Sequence, residues 1–440
     1  MVLPSKNKRR YIIIVNVCRW LLALLLMLSG FLKAVDPVGG MYKLQEYAVA
    51  FSVAVSDGWL LAAAIVQAAV EFLIGLYLLM GVYRTVVSFM ALLAMLVFTP
   101  LSLYLWISGV VSDCGCFGES LAISNRMTFA KNVLLLLLAI VAFAKRSLFI
   151  GNLNRRIRWV LVLFSWIYIF ALQIVSVKHL PLIDPSPYAV GNNLRSMVEY
   201  TPGSYRYMSV YEKDGEEMVL PADRVAGEGW NFVDSYSEQL EAGSEPEIPN
   251  FSIVDWEYDI EVADELIADT GYVCIVVVED VESASVTHVD KLNDLYDYCT
   301  ANGVAFCAVS SSGEDEVLLW AKRTGAEYAV YWAERELLRS MIHSNPGLLL
   351  LKDGVIAGKW AAVDIPVVYD LGNSPMFVPA ATVSYTNVQR WPFWVIVLVC
   401  ALSVLSLLNV IIAASARKPR EGVNEKDAQP VVEEKTSDMN

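Results

Sequence analysis

The stretch SDCGCFGES, residues 112–120, is a short polar loop between two long apolar runs, and the rest of the chain can be placed relative to it. Its two thiols, Cys114 and Cys116, are separated only by Gly115, and glycine allows backbone conformations that are closed to other residues. A disulfide between these cysteines would close a very small, strained ring. Because strained, exposed disulfides are the easily reduced ones, the spacing favours thiol–disulfide exchange.

Two other interpretations of this loop stay open. One is a metal site that includes Asp113. We weigh it below the redox interpretation and expect no metal, because a structural zinc site needs four ligands and every histidine lies later in the chain. The other is a loop with two unreactive thiols, because sequence alone gives neither the pKa of a thiol nor its exposure.

The composition is that of a membrane protein, since 56% of the 440 residues are hydrophobic, too many for an ordinary soluble domain. Residues 179–390 hold 35 Asp and Glu against 12 Lys and Arg, whereas the remainder holds 12 against 21. An acidic water-facing domain is therefore joined to a basic membrane part. This balance excludes nucleic acid as a partner, because phosphate binding needs clustered Lys and Arg.

Six apolar runs are long enough to span about 30 Å of hydrocarbon at about 1.5 Å per residue. The first, from Tyr11 to about Val35, follows the basic sequence KNKRR and is expected to be a signal-anchor. The other five cover residues 59–81, 85–108, 127–144, 157–178 and 392–415. The predicted fold is a bundle of six transmembrane helices plus an extracytoplasmic α/β domain.

Lys and Arg in short loops set the orientation of a membrane protein. They cluster at both ends of the chain and between residues 145 and 158, which predicts cytoplasmic N- and C-termini. The Cys loop and residues 179–391 then share the opposite, oxidising side, where disulfides form and persist. We expect the protein to lie in the inner membrane of a bacterium with two membranes, with its large domain in the periplasm.

Charged residues within the spans are few. Arg19 and Glu71 lie at similar distances from the cytoplasmic ends of their helices, so we expect them to pair, either as a proton relay or as a structural ion pair. Lys33 lies near the outer end of the first span, at the level of the Cys loop. It either lowers the pKa of a loop thiol or only extends to the lipid head groups.

The runs RWLLALLLMLSGFLKAVDPVG (19–39), KLQEY (43–47), EFLIGLYLLMG (71–81) and DCGCFGE (113–119) resemble the DoxX/MauE family of four-helix membrane proteins over residues 11–145. The resemblance implies a four-helix membrane domain at residues 1–150. It also implies quinone-linked or thiol-linked electron transfer, or maturation of a disulfide-rich periplasmic enzyme. A quinone is then a candidate cofactor, with Cys114 and Cys116 as the exchanging thiols.

The fifth transmembrane helix, with the residues that lead into it, is assigned to residues 151–178. A linker and small hairpin region follows at residues 179–248. Its run RYMSVYEKDGEEMVLP (206–221) predicts a hairpin that turns at Asp214–Gly215. Strand and helix patterns then alternate through residues 249–390, including the buried-strand run YVCIVVV (272–278) and a final hairpin in NPGLLLLKDGVIAGKW (345–360).

This order resembles the thioredoxin fold over about residues 249–365, with Pro346 at the position of the family's cis-proline. The family's Cys-x-x-Cys is missing, because the chain reads EDVESASVTH (279–288) after the central strand. Thiol chemistry is therefore not expected in this domain. We expect Cys274 and Cys307 to be buried as small apolar residues, with a structural disulfide that involves Cys299 as the alternative.

The chain closes with a sixth span (391–415) and a charged tail (416–440) that we expect to be disordered in the cytoplasm. Two functions remain. The first is periplasmic thiol–disulfide or quinone-linked redox chemistry with a thiol protein as partner. The second is a non-catalytic, membrane-anchored scaffold whose thioredoxin-like domain binds an envelope protein. In both cases the spans contact membrane lipid.

Overall fold

The structure is a computed structural model that describes residues 6–111, 115, 124–151, 153–200, 204–224, 227–241, 246–367 and 391–415. Asp113, Cys114, Cys116 and the tail 416–440 lie outside the described residues, so what the sequence predicts for them stays a prediction.

Six helices in the described part of the chain are long and apolar enough to cross a membrane, which confirms the predicted spans. They are α1 (Lys6–Val35), α3 (Asp57–Met80), α4 (Arg84–Ser108), α5 (Asn125–Ala144), α6 (Arg155–Lys178) and α12 (Trp391–Ser415). Large apolar side chains on their outer surfaces are exposed, for example Trp159, Leu137 and Ile107. Lipid is the solvent that matches such a surface, so the chain is a multi-pass membrane protein.

Helices α1 and α3 pack with their backbones in close approach, because glycine lies at the contact on both helices. A Cβ added to Gly30 would lie 2.3 Å from the backbone nitrogen of Phe72, and one added to Gly75 would lie 2.4 Å from that of Met27. Small residues allow this approach in membrane bundles. The contacts also fix the antiparallel register of the two helices.

A shorter helix, α2 (Pro37–Ala50), follows α1 directly and lies between the first two spans. Asp36 caps it, because its side chain accepts a hydrogen bond of 3.0 Å from the backbone N–H of Gly39. Pro37 occupies the first helical position, where a missing N–H breaks no helical bond. The helix is too short to cross a bilayer, and it packs against α3.

A three-stranded antiparallel sheet lies in the region after α6. Its strands are β1 (Ser204–Lys213), β2 (Glu216–Pro221) and β3 (Asn231–Glu241), in the order β2-β1-β3. The predicted hairpin between β1 and β2 is confirmed, and its turn residues Asp214 and Gly215 both have positive φ, 52° and 85°. The third strand was not predicted.

A mixed seven-stranded sheet forms the core of residues 246–367, here called the sheet domain. Its strands are β4 (Val254–Asp255), β5 (Ile260–Glu261), β6 (Tyr272–Val278), β7 (Ala305–Ser310), β8 (Val330–Trp332), β9 (Gly347–Lys352) and β10 (Val355–Ala361). The order is β10-β9-β6-β7-β8-β4-β5. Strands β6, β7 and β8 are parallel, and the other neighbours are antiparallel.

Helices cover both faces of this sheet, which confirms the predicted alternation of strands and helices. They are α7 (Leu194–Val198), α8 (Ala263–Ala268), α9 (Val289–Ala301), α10 (Glu314–Thr324) and α11 (Arg335–Met341). The core on one face packs against α7, α8 and α11, and the core on the other packs against α9 and α10. Because β6 is covered on both sides, its sequence is a continuous apolar run.

Candidate functional site

The centre of the Cys loop, Gly115, is described, whereas the cysteines on either side of it are not. Gly115 has a φ of +58°, in the left-handed region that glycine adopts at little cost. It lies against α2, because a Cβ at this position would be 3.0 Å from Cγ of Lys43. The loop is therefore packed at its centre on the side chain of Lys43.

A small cavity of about 70 Å³, here called the bundle cavity, extends from Gly115 into the bundle. Apolar side chains such as Met95 and Phe98 form much of its lining. Its charged lining residues are Lys33, Lys43, Glu71 and Lys131. Four charged side chains thus meet at one place in a membrane protein, next to the predicted redox loop. Ionisable side chains that face the interior of a membrane bundle are typical of functional sites.

Lys33 and Glu71 form a buried ion pair in the bundle cavity. The Nζ atom of Lys33 lies 2.6 Å from a carboxylate oxygen of Glu71, and the two side chains are only 12% and 8% exposed. The ammonium also lies 5.6 Å from the ring centroid of Phe98. Because an unpaired charge is costly in a bilayer, the contact between the two groups offsets part of the cost of placing them there.

The predicted pairing of Arg19 with Glu71 is wrong, since Glu71 pairs with Lys33. Arg19 instead donates a hydrogen bond of 2.7 Å from Nη1 to the backbone oxygen of Ile150. The register of α1 and α3 explains the difference, because it places Arg19 beside Gly81, just beyond the end of α3. At about 1.5 Å per residue, Arg19 lies about 21 Å from Lys33 along α1.

The structure therefore brings together only part of the predicted site. Lys33 and Glu71 lie next to the centre of the loop, whereas Arg19 is at the other end of α1 and Pro346 is in the sheet domain. The effect of Lys33 on the thiol pKa stays a prediction. Lys43, to which the sequence analysis gave no role, is the lysine that contacts the described part of the loop.

In the sheet domain, the peptide bond between Asn345 and Pro346 is cis. The loop around it packs against the residues that follow β6. Asn345 donates a hydrogen bond of 2.8 Å from Nδ2 to the backbone oxygen of Asp280, and its own carbonyl accepts one of 3.1 Å from the N–H of Ser285. Pro346 thus lies beside the segment EDVESASVTH, where the chain has no cysteine.

The same end of the sheet domain contacts α2. Glu279, the residue after β6, accepts hydrogen bonds from the hydroxyl of Tyr42 at 3.1 Å and from Nε of Arg339 at 2.7 Å. The guanidinium of Arg339 also lies 4.5 Å from the ring centroid of Tyr42. Burial and the negative charge of Glu279 raise the pKa of Tyr42, so its hydroxyl stays protonated and donates.

A second polar contact joins α2 to the sheet domain. Nδ1 of His343 lies 3.0 Å from Oδ1 of Asp36, the residue that caps α2, and the two side chains are 10% and 7% exposed. The imidazole also meets the ring of Tyr42 edge to face, with centroids 5.4 Å apart. Sequence reasoning missed this interface. Two features of the sequence pointed to this region, namely an acidic residue directly after the central strand and one of only three histidines. Neither feature identifies the residue that it contacts.

The described thiols of the sheet domain are buried and not joined in a disulfide. Sγ of Cys274 and Sγ of Cys299 lie 3.8 Å apart, and this contact together with burial raises the pKa of Cys274. Burial raises the pKa of Cys307 to about 12. These thiols are poor nucleophiles because the thiolate is the reactive form. Among the described residues, no group of three His, Cys, Asp or Glu side chains is placed to hold a metal ion.

Comparison with known proteins gives one match. A family model described as methylamine utilisation protein MauE matches residues 11–145, which cover α1 to α5 and the Cys loop. No curated protein and no solved structure matches the chain. The match supports a membrane bundle for the N-terminal part and does not extend to the sheet domain.

Proposed function

We propose that this MauE-like multi-pass membrane protein carries out thiol–disulfide exchange through Cys114 and Cys116. The observation that carries the proposal is the position of Gly115, which packs on Lys43 beside the cavity that holds the Lys33–Glu71 pair. Nearby lysines lower the pKa of a thiol and so increase the fraction of reactive thiolate. Charged groups, a cavity and the centre of the predicted redox loop therefore meet at one place in the described part of the chain.

In the proposed reaction, the Cys114–Cys116 disulfide oxidises two thiols of a partner protein. A thiolate of the partner attacks one loop sulfur, which breaks the loop disulfide, forms a mixed disulfide and releases the other loop sulfur as a thiolate. The partner's second thiolate then displaces the bound loop cysteine. The partner gains a disulfide, and the loop gains two electrons and the two protons that the partner thiols lost. The disulfide of a second protein reoxidises the loop by the reverse exchange.

A quinone is the membrane acceptor that the family resemblance implies. No residue is assigned to a quinone, and the exchange between thiols and disulfides is complete without one.

The proposal includes an orientation. The Cys loop and the sheet domain would face the periplasm, with both chain termini in the cytoplasm, as the distribution of Lys and Arg favours. Support comes from the contacts of α2, which packs on Gly115 through Lys43 and on the sheet domain through Tyr42 and Asp36. The loop and the sheet domain are therefore at the same end of the bundle.

We also propose that the sheet domain is a thioredoxin-like domain without its dithiol. The strand order β10-β9-β6-β7 and the position of Pro346 beside the segment after β6 support this. In this chain, Glu279 lies just after β6 and binds α2 instead of presenting a thiol. The domain would then hold a partner near the Cys loop and take no part in the electron transfer.

A second candidate function is a membrane-anchored scaffold with no redox activity. The observation that favours it is the burial of Cys274, Cys299 and Cys307, which leaves the sheet domain without a reactive thiol. The scaffold and the exchange reaction differ only in what the loop cysteines do.

A redox titration of the purified full-length protein separates the two functions. The protein is equilibrated at a series of potentials, alkylated and mapped by peptide mass. The peptide that holds Cys114 and Cys116 should change mass at a potential above about −300 mV, the upper limit for structural disulfides of secreted proteins. The peptides of Cys274 and Cys307 serve as internal controls and should not change. Loop thiols that stay reduced under every oxidising condition, or that hold a metal ion, would establish the scaffold instead.

A further inference from the structure

A cleft of about 960 Å³, here called the interdomain cleft, lies between α2 and the sheet domain. One wall is formed by α2, and the other by α11 together with residues 180–187, which follow α6. Val110 and Val111 also line the cleft, and they directly precede residues 112–114 of the Cys loop. Lys43 lines both the interdomain cleft and the bundle cavity. The cleft therefore leads from the sheet domain to the edge of the loop.

Acidic and basic side chains line the cleft in equal number. The basic ones are Lys43, Arg335, Arg339 and Lys359, and the acidic ones are Asp36, Glu46, Asp184 and Glu336. Several are already paired within the protein, such as Lys359 with Asp184 at 2.6 Å and Lys43 with Glu46 at 3.1 Å. A lining without excess positive charge does not favour a polyanion or an anionic lipid head group, because both are recognised by clustered Lys and Arg.

The cleft offers apolar surface and an amide side chain. Val49 is 74% exposed, and Ile183 and Ile342 add apolar side chains to the lining. The side chain of Gln45 also lines the cleft, and an amide group both donates and accepts hydrogen bonds. An extended peptide backbone offers matching N–H and carbonyl groups, and it can carry apolar side chains without net charge.

We propose that the interdomain cleft binds an extended segment of the partner polypeptide whose thiols react at the Cys loop. This inference rests on the proposed exchange reaction and adds the place where its substrate is held. The cleft lies at the junction of two parts of the protein, where ligand sites are common, and its volume is within the usual range of about 300–1,000 Å³. Its equal number of acidic and basic side chains matches a segment without net charge, and its lining includes Val110 and Val111, which directly precede the Cys loop in the sequence.

The test uses the full-length protein in lipid nanodiscs with Cys114→Ser and Cys116→Ser, so that binding does not depend on the redox reaction. The probe is a fluorescent, cysteine-free 12-residue peptide of zero net charge, followed by fluorescence anisotropy. We expect Gln45→Ala to weaken binding at least fivefold. Arg323→Ala removes an exposed arginine of α10 outside the cleft and should leave the affinity unchanged.

Photocrosslinking locates the bound peptide. A photoreactive side chain is placed at Val49 inside the cleft or at Leu319 outside it, two positions that are 74% and 70% exposed. Crosslinks from position 49 and none from position 319 support the proposal. No crosslink from position 49, equal crosslinking at both positions, or crosslinking of position 49 to nanodisc lipid would overturn it. A peptide that binds the cleft while the loop fails its redox titration would refute the exchange reaction and leave the cleft as the binding site of a scaffold.

Discussion

Replacing Glu71 by glutamine should destabilise the protein by about 3–5 kcal/mol, the range for removing one partner of a buried ion pair. The size follows from the geometry, because the two charged groups are 2.6 Å apart and their side chains are 12% and 8% exposed. Water therefore does little to replace the contact that the ammonium of Lys33 loses when Glu71 is changed. The double variant Glu71→Gln with Lys33→Met removes both charges and should recover most of the loss.

The assay is reversible unfolding of the four variants in mixed micelles, with tryptophan fluorescence as the probe, analysed as a double-mutant cycle. A second cycle, Glu71→Gln with Arg19→Gln, is the matched control. Because Arg19 and Lys33 are about 21 Å apart along α1, its effects should add within about 0.5 kcal/mol. A cost below about 1 kcal/mol for Glu71→Gln, or coupling of Glu71 to Arg19 and not to Lys33, would refute the reasoning.

Four further outcomes are expected. Gly75→Ala should destabilise the α1–α3 contact by about 1–3 kcal/mol through overpacking, whereas Gly58→Ala, with nothing within 4 Å, should be neutral in the same unfolding assay. Burial would raise the pKa of Asp184, but the charge of Lys359 and the hydrogen bonds from Lys359 and Ser186 together lower it, so the stabilisation by Asp184 should be lost as pH falls below the ordinary 3.8. A flatter acid unfolding profile for Asp184→Asn checks this, and identical profiles would contradict it. Cys274 and Cys307 should resist alkylation at pH 8 until the protein is unfolded, as mass labelling would show, and rapid native labelling would contradict their burial. A membrane-impermeant thiol reagent added to cells with an opened outer membrane should reach the Cys loop, and labelling only after the inner membrane is permeabilised would reverse the proposed orientation.

The spans and most of the strands, with the exception of β3, were readable from the sequence because both depend on local patterns. Residues 272–278 are a continuous apolar run, and they form the doubly covered strand β6. The turns at Asp214–Gly215 and Asp353–Gly354 were readable for the same reason, because Asp-Gly between two strand patterns is typical of a hairpin. In the structure, both residues of each pair have the positive φ values that such hairpins require.

The ion pair of the bundle was not readable, because depth estimates assume that neighbouring helices end at the same level. Helix α1 extends past the end of α3, and the glycine contacts set an offset that a residue count does not contain. Glu279 contacts both Arg339 and Tyr42. Of these contacts, the one with Tyr42 joins residues that are more than 200 positions apart along the chain. No periodicity reports such a contact, which depends on how the sheet domain sits on the bundle.

Asp36 has two tasks at once, since it caps the first turn of α2 and contacts His343 of the sheet domain. Helix α2 in turn holds Lys43 against Gly115. We expect a partner that shifts the contact between His343 and Asp36 to change the environment of the Cys loop. Thermodynamic linkage is reciprocal, so a change of state in the loop would then alter the affinity for that partner by the same factor. We therefore expect a ligand of the sheet domain to affect the membrane part, and a ligand of the membrane part to affect the sheet domain.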